Sequence, residues 1–161
     1  GAEYRINGED GCQACPPGLV CNGNAHVTPV VNGSEWEADN NIYVLKSCPS
    51  GYLLYKGEAD AFDAAAQECI ACRSGQECKA DECTEAQCTL CEAGRYKTAA
   101  DASACLECPV DTYNAGEGGS SCEACTPCPE HSSTNGAVGQ ASADRCECDG
   151  GYYQTTVNGA M

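Results

Sequence analysis

The sequence predicts a small disulfide-rich fold, made of tandem short β-hairpin modules with little regular secondary structure and one short helix. Three observations carry that prediction. Seventeen of the 161 residues are cysteine, a density that marks a cross-linked or metal-bound scaffold. Leu, Ile, Val and Phe together number only 18, and a chain so poor in large aliphatics cannot repay the entropy of ordering by burial alone. Five Asn-Gly and two Asp-Gly dipeptides are spread along the chain, and such pairs suit tight turns with positive φ, hence many short hairpins.

Charge and hydropathy narrow the function classes. With 24 acidic residues against 8 basic ones the formal charge is -16, which repels phosphate backbones and anionic lipid, so no nucleic-acid partner is expected. No apolar run is long enough to span a bilayer, so no membrane insertion is expected either. The sequence has neither an initiator Met nor a signal segment at its start, and any secretion signal is expected to lie outside it.

The cysteines divide the chain into residues 1–87, a cysteine-rich module with a central β-hairpin, and residues 88–161, a run of cysteine-rich repeats. In the first part Val27–Val31 and Ile42–Leu45 read as strands with Asn32-Gly33 opening the turn region between them, giving a hairpin with Trp36 near its tip or on one face. Gly51–Tyr55 reads as a third strand, apolar, aromatic and bounded by turn residues. The Ala-rich stretch from Glu58 to Ile70 reads as the short helix, with Asp60 as its N-cap and Phe62 and Ala66 on one face. In the second part a C-x2-C pair recurs every 17 residues, as Cys88/Cys91, Cys105/Cys108 and Cys122/Cys125. Tyr96 and Tyr113 follow the second cysteine of the first two pairs by five residues, and the same offset from Cys148 lands on Tyr153, which predicts one ring packed on each disulfide.

All seventeen cysteines, at 12, 15, 21, 48, 69, 72, 78, 83, 88, 91, 105, 108, 122, 125, 128, 146 and 148, are expected to serve disulfides. Closing a loop of about 14 residues is worth roughly 3 kcal/mol in the chain-entropy model, so several bridges hold a chain with almost no core. Two other readings stay open from spacing: four-cysteine zinc sites, for which C-x2-C-x13-C-x2-C is close to the usual pattern, and redox or cluster chemistry. The surplus of cysteines, the overlapping Cys122-x2-Cys125-x2-Cys128 and the Asn32-Gly33-Ser34 sequon speak against zinc. A thioredoxin-type pair needs a βαβ setting, and Cys122 to Pro129 lacks the fourth cysteine of a ferredoxin run. No metal and no cofactor is therefore expected.

Connectivity does not follow from the sequence. The simplest arrangement closes each loop, Cys91 with Cys105, Cys108 with Cys122 and Cys128 with Cys146; the rival is crossed, first with third and second with fourth. Seventeen is odd, so one thiol is free or pairs outside the chain. The repeat step from Cys148 reaches one position past Met161, and Tyr4 precedes Cys12 with no cysteine before it. Both points suggest an excerpt of a longer cysteine-rich polypeptide.

Four segments carry a family resemblance: Cys91-Glu-Ala-Gly-Arg-Tyr-Lys97, Cys105-Leu-Glu-Cys-Pro-Val-Asp-Thr-Tyr113, Cys128-Pro-Glu-His-Ser-Ser133 and Cys146-Glu-Cys-Asp-Gly-Gly-Tyr-Tyr153. From Cys88 to Tyr153 the chain resembles the ephrin-receptor-like cysteine-rich repeat, and Cys12–Gly18 and Cys48–Tyr52 look like degenerate copies. The resemblance implies small disulfide-bonded loops, similar to EGF-like and tumour-necrosis-factor-receptor modules, in an extracellular region. The layout also resembles units of the very large repetitive surface proteins of protists and algae. The family brings no catalytic residues to transfer.

The remaining polar residues read as scaffold. His131, Ser132, Ser133 and Asp144 are the residue types of a hydrolase triad without its nucleophile elbow, and with His26 they read as solvated loop residues. Glu35, Glu37 and Asp39, and Glu58, Asp60 and Asp63, lack the alternating ligand pattern of a calcium loop. Trp36, Tyr43, Tyr52 and Tyr55 read first as a small hairpin core and second as an aromatic patch for a glycan or partner. Asn32 is a glycosylation site if the chain is secreted.

The function expected is thus a non-enzymatic extracellular structural module. It is a rod-like repeat or protomer of a secreted or cell-surface filament, appendage or matrix, partnered by its own copies or neighbouring repeats and by a glycan. A receptor ectodomain for a protein or glycan ligand is the second reading, and a zinc-binding module the third.

Overall fold

Every strand among the described residues lies in a two-stranded sheet, which is what a chain of short turn-bounded segments with few aliphatics can support. The structure is a computed structural model that describes residues 2–57, 61–78 and 88–154. Among these residues the strands are β1 (Glu3–Tyr4), β2 (Gln13–Ala14), β3 (Leu19–Cys21), β4 (Val27–Pro29), β5 (Glu35–Asp39), β6 (Ile42–Ser47), β7 (Tyr52–Tyr55) and β8 (Glu68–Ala71). They continue as β9 (Gln76–Glu77), β10 (Thr89–Leu90), β11 (Arg95–Tyr96), β12 (Leu106–Glu107), β13 (Thr112–Tyr113), β14 (Thr126–Pro127), β15 (Ser132–Ser133) and β16 (Glu147–Cys148). Each odd-numbered strand pairs with the next. The small disulfide-rich fold of tandem short hairpins is therefore the fold observed.

Three local expectations are corrected. The strands around Asn32-Gly33 exist but do not pair with each other: β4 pairs with β3, and β6 pairs with β5. The turn of the β5–β6 hairpin is Asn40-Asn41, with φ of 45° and 65°. Asparagine tolerates that left-handed backbone without glycine, so a search for Asn-Gly passes over it. Of the Asn-Gly and Asp-Gly pairs among the described residues, only Asn135-Gly136 has positive φ at both positions.

The third expected strand, 52–55, is β7, but its partner is β8, within the segment read as a helix. Residues 58–60, with the Asp60 cap, lie outside the described residues; from 61 onward the chain turns at 64–65 and enters β8. Two constraints override alanine's helix propensity there. The Cys48–Cys69 disulfide fixes the segment beside β7, and the Gln67 side chain donates to Tyr43 and Ala64 carbonyls and accepts from the Leu45 N–H. The helical turns that do form among the described residues are single 3-10 turns at Cys122–Ala124 and Ala143–Arg145.

The chain groups into two compact units. The first comprises Gly1–Arg73, Cys78–Thr89 and Ala100–Ala102, and the second Ser74–Glu77, Leu90–Ala99 and Ser103–Met161. The first unit holds a small core of ordinary kind: Tyr4 at 1 % exposure, Leu19, Leu45 and the fully buried Gln67. The Tyr4 hydroxyl accepts from the Tyr43 N–H, and the two rings pack with centroids 5.2 Å apart. Trp36, Tyr43, Tyr52 and Tyr55 are all half-buried, with the Trp36 indole donating to Ser34. In the second unit the buried apolar residues are Cys91, Cys105, Cys108 and Cys125, so sulfur takes the place of aliphatic carbon.

Candidate functional site

Among the described residues no group of acidic, His and Cys side chains has a geometry that holds a metal. The feature repeated throughout is a disulfide module. Five loops run in series without crossing: Cys48–Cys69, Cys72–Cys88, Cys91–Cys105, Cys108–Cys125 and Cys128–Cys146. Each closing cysteine is followed within three residues by the next opening one. The short segment after a closing cysteine forms the return strand of the module it closes in β10, β12, β14 and β16, while β8 spans its closing Cys69. A sixth bridge, Cys15–Cys21, closes a loop of only six residues, and Cys78 is also disulfide-bonded.

The module has one backbone rule. Counting from the opening cysteine, the third residue has positive φ in all five: Gly51, Gly75, Gly94, Asp111 and His131. The carbonyl of the first residue accepts from the N–H of the fourth, as in Glu92 with Arg95 and Pro129 with Ser132. Positive φ at the third place of such a turn is the signature that favours glycine. The carbonyl at the positive-φ residue then receives the N–H of the next opening cysteine: Cys72 to Gly51, Cys91 to Gly75, Cys108 to Gly94 and Cys128 to Asp111. In the module opened by Cys128, where C-x2-C shortens to Cys146-x-Cys148, Asp149 donates to His131 instead.

Close packing decides which residue fills that place. A Cβ on Gly94 would meet the Gly139 carbonyl oxygen, and one on Gly75 the Gly118 carbonyl oxygen, both within the second unit. Asp111 and His131 are exposed, so side chains fit. A ladder of backbone hydrogen bonds joins successive modules in the same unit: Gly75 N–H to Lys97, Gly94 N–H to Asn114, Lys97 N–H to Gly119 and Asn114 N–H to Gln140. Lys97, Asn114 and Thr134 all sit six residues after an opening cysteine, and all are buried. Asn114 donates to the Arg95 carbonyl, and Thr134 accepts from the Asp111 N–H and donates to the Ala137 carbonyl. Glu77 adds a buried carboxylate, paired with Arg95 at 3.2 Å and accepting from the Cys105 N–H at 2.8 Å. These polar positions were not singled out from the sequence; the fixed offset from each opening cysteine is the signal that finds them.

The sequence-derived sites fall as follows. Cys91 pairs with Cys105 and Cys128 with Cys146, as loop closure has it, but Cys108 bonds Cys125 rather than Cys122. The reason is local. Cys122 begins an exposed 3-10 turn, whereas Cys125 is buried at its end, directly before β14. Ala143 holds the place of Cys122 in the next module, whose 3-10 turn likewise ends at the closing cysteine, Cys146. The 17-residue step therefore slips at Cys122. Cys12, Cys122 and Cys148 are exposed free thiols, three where the odd count requires one that is free or bonded outside the chain. Cys83 lies outside the described residues.

The hydrolase-type residues do not assemble. Ser132 donates to the Pro129 carbonyl, Asp144 pairs with Ser142, and the His131 ring stacks on Tyr152 with centroids 3.9 Å apart. His26 is exposed. Among the first acidic group, Glu35 accepts from Ser47, and Glu37 pairs with Lys46 at 2.8 Å. That contact holds the Glu37 carboxyl below its ordinary pKa and raises that of Lys46. Asp63 accepts from the Ala65 N–H; Glu58 and Asp60 lie outside the described residues. Asn32 is exposed in a turn. Among the described residues no helix is long and apolar enough to cross a membrane.

Residues 79–125 match a protein family described as tyrosine-protein kinase ephrin type A/B receptor-like. No curated protein matches the chain. The match and the serial disulfides together establish that the chain carries an ephrin-receptor-like cysteine-rich repeat, a disulfide-rich module that fits an extracellular domain.

Proposed function

We propose that the chain is a non-enzymatic structural module of a secreted or cell-surface assembly, acting by self-association. The observation that carries this reading is the serial module, in which a fixed turn, a disulfide and a ladder of backbone bonds recur with different side chains. Such an architecture conserves spacing and cross-linking, the properties of a scaffold, and it persists only where thiols stay oxidised. Exposed Asn32, in its Asn-Gly-Ser sequon, is the proposed glycan attachment site.

Charge bears on how copies would meet. β5 offers an open sheet edge, but Glu35, Glu37 and Asp39 lie along it. In a chain of charge -16 strand addition there opposes like charges, which speaks against this edge as the joining surface.

Sedimentation velocity of the oxidised, glycosylated chain over a hundredfold concentration range tests the reading. Species growing with concentration support it. A monomer throughout, with saturable binding to a non-self protein, supports instead a receptor ectodomain, the reading favoured by the family match at residues 79–125.

A further inference from the structure

The sequon at Asn32 is tied down in the folded first unit. Val31 to Ser34 form a turn in which the Ser34 N–H donates to the Val31 carbonyl and Gly33 takes φ 88° at the third place. The Ser34 hydroxyl is engaged both ways: it donates to the same Val31 carbonyl at 2.8 Å and accepts the Trp36 indole N–H at 3.1 Å. Asn32 is exposed and Ser34 half-buried, so the fold withholds the hydroxyl and not the amide. What fixes the indole comes from elsewhere in the chain. The Trp36 ring lies against Gly18, where a Cβ would come within 2.6 Å of its Cζ2 atom. The Gly18 N–H donates to the Gln67 carbonyl, and the Gln67 side chain holds the backbone of β6 at Tyr43 and Leu45. The Cys48–Cys69 bridge secures that segment, and Pro49 lies beside Gly33. A two-stranded hairpin alone is marginal in water, so the tie on Ser34 lasts only once the segment at Gln67 has docked.

We infer that Asn32 is a timed acceptor: it takes an N-glycan while the chain is unfolded and becomes refractory once Cys48–Cys69 closes and the Trp36 indole captures the Ser34 hydroxyl. This rests on the secreted, glycosylated reading of the chain and adds to it an order of events. An acceptor asparagine requires a hydroxyl two residues on, so the transferase has to reach that hydroxyl. In the folded unit it is already bonded to Val31 and Trp36. Because Asn32 itself is exposed, a glycan attached earlier is accommodated when the unit closes.

The co-substrate is an oligosaccharide carried on a lipid diphosphate. The Asn32 side-chain nitrogen attacks C1 of the first sugar and a C–N bond forms. The bond from C1 to the diphosphate oxygen breaks, its electron pair leaving with the lipid diphosphate, and one amide proton passes to a base of the transferase. An amide nitrogen is a poor nucleophile because its lone pair is delocalised into the carbonyl, so the transfer depends on the full set of transferase contacts, the Ser34 hydroxyl among them.

The test offers two acceptors to an oligosaccharyltransferase supplied with a lipid-diphosphate oligosaccharide: the full 161-residue chain oxidised and folded, and the same chain reduced and alkylated. The rate is read from the mass shift of the Asn32 peptide. The reduced chain is expected to be modified at least roughly tenfold faster, because in the folded chain the sequon is free only in molecules that have opened the hairpin. Two oxidised variants separate the tie on the hydroxyl from unfolding at large. Trp36→Phe removes the indole donor and keeps an aromatic ring, and Cys48→Ser with Cys69→Ser releases the segment carrying Gln67. Both are expected to move the rate toward that of the reduced chain, with the remaining disulfides unchanged on peptide mapping. Equal rates for oxidised and reduced wild type overturn the timing and leave Asn32 standing as an attachment site. A folded Trp36→Phe chain as slow as the oxidised wild type also overturns it, since the hydroxyl is then not what the fold withholds. No transfer even to the reduced chain brings down the attachment site and the timing together. Self-association, read by sedimentation, stands or falls separately.

Discussion

The region around β5–β6 and the serial modules after Cys91 solve the same shortage of aliphatics in different ways. The first gathers Tyr4, Leu19, Leu45 and Gln67 into one buried cluster, so its specificity resides in side chains distant in sequence, as when Gln67 satisfies Leu45 across 22 residues. The second buries cysteines and one polar residue per module, and its contacts recur at fixed offsets. A side-chain core is unique to its sequence. A backbone-and-disulfide module is tolerant of it, and so it can be repeated.

The largest expected effect comes from opening a module. Replacing Cys108 and Cys125 together by Ala removes a loop of 17 residues and is expected to cost about 2–5 kcal/mol, with amide exchange accelerated in residues 90–99 and 103–154 and little changed around β5–β6. Leu45→Ala should do the converse. Truncating this fully buried side chain costs about 2–4 kcal/mol, read as a lower denaturant midpoint with exchange accelerated at β5, β6 and Tyr4. If both changes accelerate exchange everywhere, the two regions are not separate solutions.

A smaller effect separates conformational strain from close approach. Gly94→Ala and Gly136→Ala both force a side chain onto positive φ, each costing about 1–2 kcal/mol. Only at Gly94 does the new Cβ also meet a backbone carbonyl, that of Gly139, while Gly136 faces open space. Gly94→Ala should therefore melt at the lower temperature of the two. Equal melting temperatures would mean that the ladder between modules contributes nothing at this point.

The smallest effect is the pH dependence of the exposed Glu37–Lys46 pair. The Glu37 pKa is lowered from 4.5, so its contribution is present above the unfolded value and lost as pH falls through the folded one. The Lys46 pKa is raised from 10.5, so its contribution is present below that value and lost as pH rises through the folded one. Lys46→Gln is expected to flatten stability slightly between these limits, and salt should erase the difference, as it does for solvent-exposed pairs.

The sequence revealed the class of fold through cysteine density and turn dipeptides, because composition alone determines that burial must be replaced by cross-links. Of the three loop closures it suggested, Cys91–Cys105 and Cys128–Cys146 form, because loops short in sequence close onto themselves. What it hid has physical causes. The β5–β6 turn uses Asn40-Asn41, which tolerate positive φ without glycine. The Ala-rich stretch before Ile70 looks helical by propensity, but a disulfide and the Gln67 hydrogen bonds draw residues 68–71 into a strand. Cys122 keeps the 17-residue step in the sequence, yet a 3-10 turn places Cys125 before the return strand. The glycine at the third place was visible at Gly51, Gly75 and Gly94, but Asp111 and His131 masked the rule.

The most direct test of the serial module is disulfide mapping of the unreduced chain by proteolysis and mass spectrometry, with free thiols alkylated beforehand. The account predicts linked peptides for Cys91–Cys105, Cys108–Cys125 and Cys128–Cys146, with Cys122 alkylated. A bond between Cys108 and Cys122, or any bond inside a C-x2-C pair, would contradict it.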